Sequence, residues 1–476
     1  MKSKIILILA IILLFSIDLP AQPLFYGGCW LRDTDGRYFN PKGFVVNLED
    51  GKGNIEYPLN DYKRMVRYGA NVQVIRIAIG QLAGLEGEVE RSSYLNRIDD
   101  RVQFAKSVGL KTIFKMTIYG LKDFNHQWET IFQPNGINRK KLFIAWEQIW
   151  KHYADDSSVI GYDLLNEAFR QNGGKSLRTY EDVTHSSLIP LYKELIQKMA
   201  AISPDKWAIY QPLLVDEGDR GKTGDGLDGL PMWHMQMPKV HDRMIYAPHG
   251  YFAKSEMHTQ AVKQHLKDAL ASGAALMMGE WGRQTYTVND TCLTNQLAYT
   301  QLYAEAANIF DNAGIGMIKS WFGGTRSYNS KTGGLTWYIF SDTTATGTSE
   351  RKYIVDVISR PFPSYMAGCK VENYGFNFTN RTFTMQFTIN DFPKGDSEIY
   401  VPEDRHYPDG FTIILDDKIV FVRDKTQPTG LKTINLYSEN SNHKFHYSIE
   451  NQRLVISGWG LNKGLHRIKI IPGLFQ

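Results

Sequence analysis

The stretch VIGYDLLNEAF, Val159 to Phe169, begins as an apolar run and ends on an amide beside a carboxylate, Asn166 and Glu167. A short apolar run of this kind reads as a buried strand. Its polar end then has to surface where the strand surfaces.

The same pattern recurs on either side. Apolar, β-rich runs occur at GFVVN (43–47), VQVIRIAI (72–79), KTIFKMTIY (111–119), VIGYDLLNE (159–167), WAIYQP (207–212), MIYAPHGY (244–251), ALMMGEW (275–281) and GMIKSWF (316–322). Between them lie segments of helical period such as DYKRMVRYGA, LNRIDDRVQFAKSVGL, AWEQIWKHYA and LIPLYKELIQKMAAI, each able to cover one face of a sheet. Eight such runs alternating with helices predict an α/β fold, a parallel (β/α)8 TIM barrel. Near RPFP (360–363) the rhythm changes, and RTFTMQFTI, SEIYVP, FTIILDD, KIVFV, HYSIE, RLVISGW and HRIKIIP are joined by Asn, Asp and Gly turns. With no helical period left, this part predicts a C-terminal antiparallel β-sandwich domain. The reading divides the chain into a signal segment (1–21), the barrel (22–360) and the sandwich (361–476).

The chain has 476 residues, 43% hydrophobic and 13% aromatic, enough to bury two cores, which excludes a disordered protein. Its net charge of +4 includes Lys2 and Lys4 of the N-terminal segment, so the rest is nearly neutral and gives no electrostatic argument for nucleic acid as a partner. MKSKIILILAIILLFSIDLPAQ has a basic start, an apolar core too short for a comfortable span and a small residue at Ala21. A secretory signal cut near Ala21 is expected, and with it a secreted or extracytoplasmic protein. Leu19, larger than the residue preferred three positions before a cut, keeps an uncleaved anchor as the alternative. The three cysteines, Cys29, Cys292 and Cys369, are too few for a thiolate metal site and are expected to be buried, unreactive thiols. The acidic residues after the fifth run lack calcium-loop spacing, so neither metal nor cofactor is expected.

Chemistry on such a barrel gathers at the carboxyl ends of its strands. Glu167 ends the fourth run and Glu280 closes the seventh, so residues far apart in sequence are expected to be neighbours in space. Paired carboxylates at one mouth are what glycoside hydrolysis requires, and a surface ion pair is the plain alternative for either one. Arg76 sits in an otherwise apolar run and must have a partner, because an unpaired buried guanidinium is costly.

Asn166-Glu167, Glu280 in GEWG, His249-Gly250-Tyr251, Arg76 in VIRIAI and Trp321 in KSWFGG together resemble glycoside hydrolase family 5, of the large clan of retaining enzymes, in the family's order. RPFPSYMAGCKVENYGFN followed by SEIYVP, and DTDGRYFNPKGFVVN near the start, are similar to the endoglycoceramidase members of that family. That likeness spans roughly residues 30–405, and its alternative is that RPFP is only a rigid linker on another family 5 enzyme.

The resemblance implies a retaining β-glycosidase working by double displacement, with Glu280 as nucleophile and Glu167 as acid/base. It further implies that Arg76 keeps Glu280 ionised and that repulsion from Glu280 keeps the proton on Glu167. Asn166 would meet the sugar 2-hydroxyl, Tyr251 would hold the nucleophile's oxygen, His249 would adjust the charge around the pair and Trp321 would lie beneath the sugar. One departure leaves the glycan open: where relatives carry histidine in a DMHQD-like stretch, KMTIYG places Thr117. The long segment after the fifth run ends in Met232, Trp233, Met235 and Met237, which either line a groove for lipid or sugar rings or fold back as a minor core. Trp233 is therefore a further candidate for substrate contact. The expected substrate is a glycosphingolipid cut between glycan and ceramide, by a monomer in transient contact with a lipid surface. The alternatives are a family 5 β-glucanase or β-mannanase acting on polysaccharide or oligosaccharide and, from another class, a carbohydrate-binding barrel without catalysis.

Overall fold

Each apolar run forms a strand: β1 Lys42–Asn47, β2 Val72–Ala78, β3 Lys111–Thr117, β4 Val159–Asp163, β5 Trp207–Tyr210, β6 Met244–Tyr246 resuming at His249–Gly250, β7 Ala275–Trp281 and β8 Gly316–Lys319. The computed structural model describes residues 31–473, apart from 34, 51–52, 84–87, 122–126, 171–177, 217–230, 252–254, 288–289, 324, 327–335, 342–348, 391–394, 426–432 and 435–443. The signal segment and Cys29 lie outside the described residues. All eight strands pair in parallel in chain order, and β8 returns to β1 to close the barrel. Helices including Glu88–Ser107, Ile137–His152, Ile189–Ile202, Ser255–Ser272 and Leu293–Ala313 pack their buried faces on its outside.

Several runs are shorter as strands than their composition implies, and three of these shortenings bear on the mouth. β4 leaves the ladder at Asp163, so Leu164 to Glu167 form its irregular continuation. β6 is interrupted at Ala247-Pro248, because proline has no N–H to give the ladder. β8 ends at Lys319, just before Ser320-Trp321.

Side chains alternate along a strand, so the residue two positions beyond an inward-facing one also faces inward. Val45, Val74, Ile113, Ile209, Ile245, Ala247, Met277 and Ile318 form one buried cluster. Two residues further along, the same strands present Arg76, Lys115, Gln211, His249 and Ser320. The dry plug of the barrel therefore gives way to a polar layer just before the carboxyl ends of the strands.

Beyond the barrel, two antiparallel sheets share one apolar core. One runs Tyr38–Phe39, Phe362–Met366, Ser397–Tyr400, Arg453–Gly458, Lys444–Ser448, so a strand from the start of the chain is stitched into the C-terminal sheet. The other runs Cys369–Asn377, Thr382–Ile389, Gly464–Pro472, Gly410–Leu415, Lys418–Asp424, Thr433–Ile434. Arg360 of RPFP is buried at the junction, donating to Asn308 Oδ1 at 2.7 Å and to the Phe376 carbonyl at 3.2 Å. Lys42 meets Asp311 at 2.6 Å in the same region. RPFP is thus part of a packed joint rather than a bare linker. Cys369 is buried, which pushes its thiol up to about 12, but Cys292 is exposed, contrary to expectation, because it precedes the solvent-facing first turn of helix Leu293–Ala313. Among the described residues no helix is long and apolar enough to cross a membrane.

Candidate active site

β7 carries Glu280 into the polar layer, where it is 2% exposed and in register with His249 of β6. Gly279 permits this approach, since a Cβ there would lie 2.7 Å from the Ala247 carbonyl oxygen. Donors from several strands converge on the carboxylate. Lys115 Nζ donates to Oε1 at 2.8 Å, Ser320 Oγ to Oε2 at 3.1 Å, and the Tyr251 hydroxyl also donates to Oε2. Burial alone would raise this carboxyl, but the Lys115 charge, with that of Arg76 adding to it, holds it well below the usual carboxylate range.

Glu167 is held differently. Its backbone φ is 45°, uncommon for a side chain with a Cβ and costing about 1–3 kcal/mol unless the surroundings enforce it. The enforcement is visible: the Glu167 N–H donates to Gln211 Oε1 at 3.0 Å, while Gln211 Nε2 is fixed by both oxygens of buried Asp163 at 2.9 and 2.8 Å. Glu167 Oε1 lies 2.9 Å from His249 Nδ1, and Asn166 Nδ2 lies 3.5 Å from Oε2. Burial raises Glu167, but the hydrogen bond from His249 and the nearby positive charge of Arg76 together hold the carboxyl below its ordinary value in the free protein. This reverses the expectation that repulsion from Glu280 keeps the proton on Glu167. The repulsion exists, but the hydrogen bond from His249 and the charge of Arg76 act against it.

One oxygen of each carboxylate and one nitrogen of His249 lie within 4.8 Å of one another. A trio with that spacing has the donor set for a cation. However, the Lys115 ammonium already sits 2.8 Å from Glu280 and 3.1 Å from His249 Nε2, so these residues suit proton chemistry better than metal binding.

The remaining candidates divide between the mouth and the core. Arg76 makes no ion pair with Glu280 among the described contacts; it lies 5.4 Å from the Tyr119 ring centre and 5.7 Å from that of Trp321, donating to the Tyr119 hydroxyl at 3.2 Å. The cation touching Glu280 is Lys115, and Arg76 adds its charge to the same effect from further off. Asn166 is buried and its Oδ1 has no partner among the described residues, leaving one acceptor open there. Trp321 and Trp337 meet edge to face at 5.6 Å and Tyr251 meets Trp337 at 5.2 Å, forming an aromatic wall beside the carboxylates. Thr117 is buried with its hydroxyl donating to the Ile77 carbonyl at 3.0 Å, so it does not replace the missing histidine.

Trp233 is half-buried and stacks on Tyr180 at 5.1 Å, with His234 as its other ring neighbour. Met232, Met235 and Met237 are buried, and Met232 Sδ accepts the His249 N–H at 2.9 Å. The minor-core alternative therefore holds for the methionines: they support β6 instead of facing lipid. Lys115, Asp163, Gln211 and Ser320 were not singled out in the sequence. The signal for Lys115 was present, since a charge inside KTIFKMTIY needs a buried partner for the same reason as Arg76 in VQVIRIAI.

Residues 34–321 match the family model described as Cellulase (glycosyl hydrolase family 5), and residues 360–470 match the glycoside hydrolase family 5 C-terminal domain. Cellodextrinase A of Ruminococcus flavefaciens is 30% identical over 110 residues, which is 23% of this chain and only 32% of that protein's length. Endo-glycoceramidase II from Rhodococcus sp. superposes over 94% of this chain and 100% of its own, with a TM-score of 0.65 and 16% identity. An endogalactoceramidase does so over 93% and 98% (TM-score 0.62, 15% identity), and sterylglucosidase 1 of Cryptococcus neoformans over 95% and 98% (TM-score 0.64, 11% identity). At such identities the superpositions show a shared fold. The family model takes in more than half of the chain, from before β1 to Trp321 at the end of β8, and on that ground the chain belongs to glycosyl hydrolase family 5 and is a glycoside hydrolase.

Proposed function

We propose that this chain is a retaining β-glycosidase acting on glycolipids, with Glu280 as nucleophile and Glu167 as acid/base. The observation that carries the reading is the approach of the two carboxylates to within 4.8 Å, oxygen to oxygen. Retaining sites hold their carboxyl groups about 5–5.5 Å apart, whereas inverting sites need about 6.5–9.5 Å to admit a water between them. A separation this short favours a covalent intermediate.

The chemistry follows from the two environments. Glu280, held as the anion, attacks the anomeric carbon; the bond from that carbon to the leaving oxygen breaks, and the proton of Glu167 goes to that oxygen. Glu167 is 30% exposed, and a bound sugar covers it, so desolvation on binding favours its protonated form. Once the ester has formed, Glu280 is neutral, and ionised Glu167 takes a proton from the incoming water as that water's oxygen bonds to the anomeric carbon and the ester bond breaks, returning Glu280 to the carboxylate. The open Oδ1 of Asn166 accepts a hydrogen bond from a sugar hydroxyl, and the wall of Trp321, Trp337 and Tyr251 gives the ring an apolar face.

The glycolipid half of the proposal is supported by the full-length likeness to an endo-glycoceramidase and an endogalactoceramidase. Since the methionines are core, the lipid contact moves to exposed apolar side chains following β3 and β7: Tyr119 (59% exposed), Tyr286 (67%), Leu293 (67%) and Leu297 (60%). Strand ends and the helix starts that follow them lie on the same face of the barrel as the mouth. An exported enzyme, as the N-terminal segment implies, would meet such lipids outside the cytoplasm. The second reading, a glucanase or related polysaccharidase, is favoured by the Cellulase family description and by the partial match to cellodextrinase A. Product analysis over glucosyl-, lactosyl- and galactosylceramides beside cellulose and mannan oligosaccharides separates the two. Release of an intact glycan with free ceramide is expected, and depolymerisation of polysaccharide with every ceramide left intact would reverse the choice.

A further inference from the structure

The polar layer contains a buried cation that the two-carboxylate scheme does not use. Lys115 Nζ is 2.8 Å from Glu280 Oε1, 3.1 Å from His249 Nε2, 3.3 Å from the Gly279 carbonyl oxygen and 3.5 Å from Asp163 Oδ2, and the side chain is 1% exposed. An ammonium can donate hydrogen bonds but cannot accept them. At 3.1 Å it therefore requires His249 Nε2 to be the acceptor, which puts the ring's single proton on Nδ1, 2.9 Å from Glu167 Oε1. Were His249 doubly protonated, Nε2–H and the ammonium would be two donors facing each other.

We propose that Lys115 is a positioning residue serving both carboxylates at once: its ammonium holds Glu280 as the anion and, by donating to Nε2, fixes His249 as the neutral tautomer whose Nδ1–H points at Glu167. Asp163 completes the device. When Glu280 becomes an ester it no longer offers a negative charge, and the ammonium keeps Asp163 as counter-ion, so it is never left buried and unpaired. Lys115 forms no bond to substrate. The other charged or titratable groups facing Glu280 are Arg76 from β2, Glu167 beyond β4, Tyr251 beyond β6 and Lys319 of β8, whose carbonyl partners include Trp337.

The inference rests on the roles proposed above for Glu280 and Glu167, and its test is separable from theirs. Trapping wild-type protein with a 2-deoxy-2-fluoro aryl β-glycoside and mapping the labelled peptide tests the nucleophile alone. The lysine is tested by Lys115→Met, a near-isosteric loss of charge, through kcat/KM against pH on an aryl β-glycoside that the wild type turns over. Without the ammonium Glu280 holds its proton more tightly, so the acid limb moves up by about 1 to 3 pH units. His249 Nε2 then faces no donor, so the tautomer that points Nδ1–H at Glu167 is no longer imposed, and with a positive charge gone from the polar layer Glu167 also holds its proton more tightly, so the basic limb moves up. The whole bell shifts to higher pH, an outcome that a packing role does not produce. Should Lys115→Met fold poorly through the stranded Asp163, the charge-balanced pair Lys115→Met/Asp163→Asn carries the same test, and the same upward shift is expected. Limbs that stay in place while only the height falls overturn the proposal, and so does a basic limb that stays put when the acid limb moves.

Discussion

Replacing Glu167 by alanine separates the two halves of the reaction, and the structure says by how much. The backbone at this position is held by a main-chain hydrogen bond, Glu167 N–H to Gln211 Oε1, which survives the change of side chain. The variant should therefore keep its loop and lose only the carboxyl beside His249. General acid–base catalysis contributes about 10²- to 10⁴-fold, which is about 2.7–5.4 kcal/mol at about 1.36 kcal/mol per decade. A substrate with a poor leaving group, such as an alkyl or ceramide glycoside, needs that proton and should lose kcat/KM by this factor. A 2,4-dinitrophenyl β-glycoside does not need it, so its glycosylation rate should stay within about threefold, while hydrolysis of the ester, deprived of its base, slows by the larger factor. Stopped-flow release of dinitrophenolate should then show a burst followed by a slow steady state. The removed carboxyl was 30% exposed, so the space it leaves opens to the mouth; azide should enter it, restore turnover and yield the β-glycosyl azide. If instead Glu280→Ala shows the burst and yields the β-glycosyl azide, while azide acting on Glu167→Ala gives the inverted α-azide, the two roles are reversed and the reasoning fails.

The pH profile has a definite sign: Glu280 stays ionised to below the usual carboxylate range, and Glu167 in the free protein loses its proton below its ordinary value, so kcat/KM should peak at acidic pH. The basic limb of kcat should lie at higher pH, because bound sugar desolvates Glu167; a kcat/KM that is flat from neutral pH into the alkaline range would contradict this. Asp311→Ala strands the buried Lys42 ammonium at 2.6 Å and the Arg360 guanidinium at 3.6 Å, and should cost about 3–5 kcal/mol in urea unfolding; a loss below about 1 kcal/mol would show the pair to be incidental. Leu293→Ser/Leu297→Ser should lower cleavage of glycolipid in vesicles about tenfold relative to a soluble aryl glycoside, through the apolar surface removed. Met235→Ser, by contrast, should reduce stability by about 2–5 kcal/mol and leave that ratio alone, and a changed ratio would return Met235 to the lipid-facing surface.

How much of the site could be read in the chain is clearest at its individual residues. Glu167 and Glu280 were legible because each closes an apolar run, and a run of that length has to end at a barrel mouth. His249 and Tyr251 were legible for the same reason, although Pro248 breaks the strand that leads to them. Arg76 drew attention as a charge in an apolar run, while Lys115, an equal anomaly one strand further on, was passed over. Gln211 and Asp163 gave no local sign, because an amide and a carboxylate at strand ends look like ordinary surface until their partners are known. Met232, Met235 and Met237 were ambiguous by nature: a flexible apolar side chain fits a core or a groove equally well.

What the sequence by itself determined was local and periodic: where strands and helices alternate, which residues share an inward face, and which polar groups stand at the ends of buried runs. Those follow from spacings of two and about 3.6 residues, fixed by backbone geometry. What only the tertiary structure decided was which inward groups meet. Closure brings β3 across from β7 and β6, so the cation on Glu280 is Lys115 at 2.8 Å, while Arg76, in the neighbouring strand, spends its charge over the Tyr119 and Trp321 rings. The physical reason is reach. Periodicity places a Cβ on a face, but a lysine side chain crosses several ångströms of barrel interior, and where its charge comes to rest depends on strand stagger and on which buried carboxylates, Glu280 and Asp163, are close enough to compensate its desolvation.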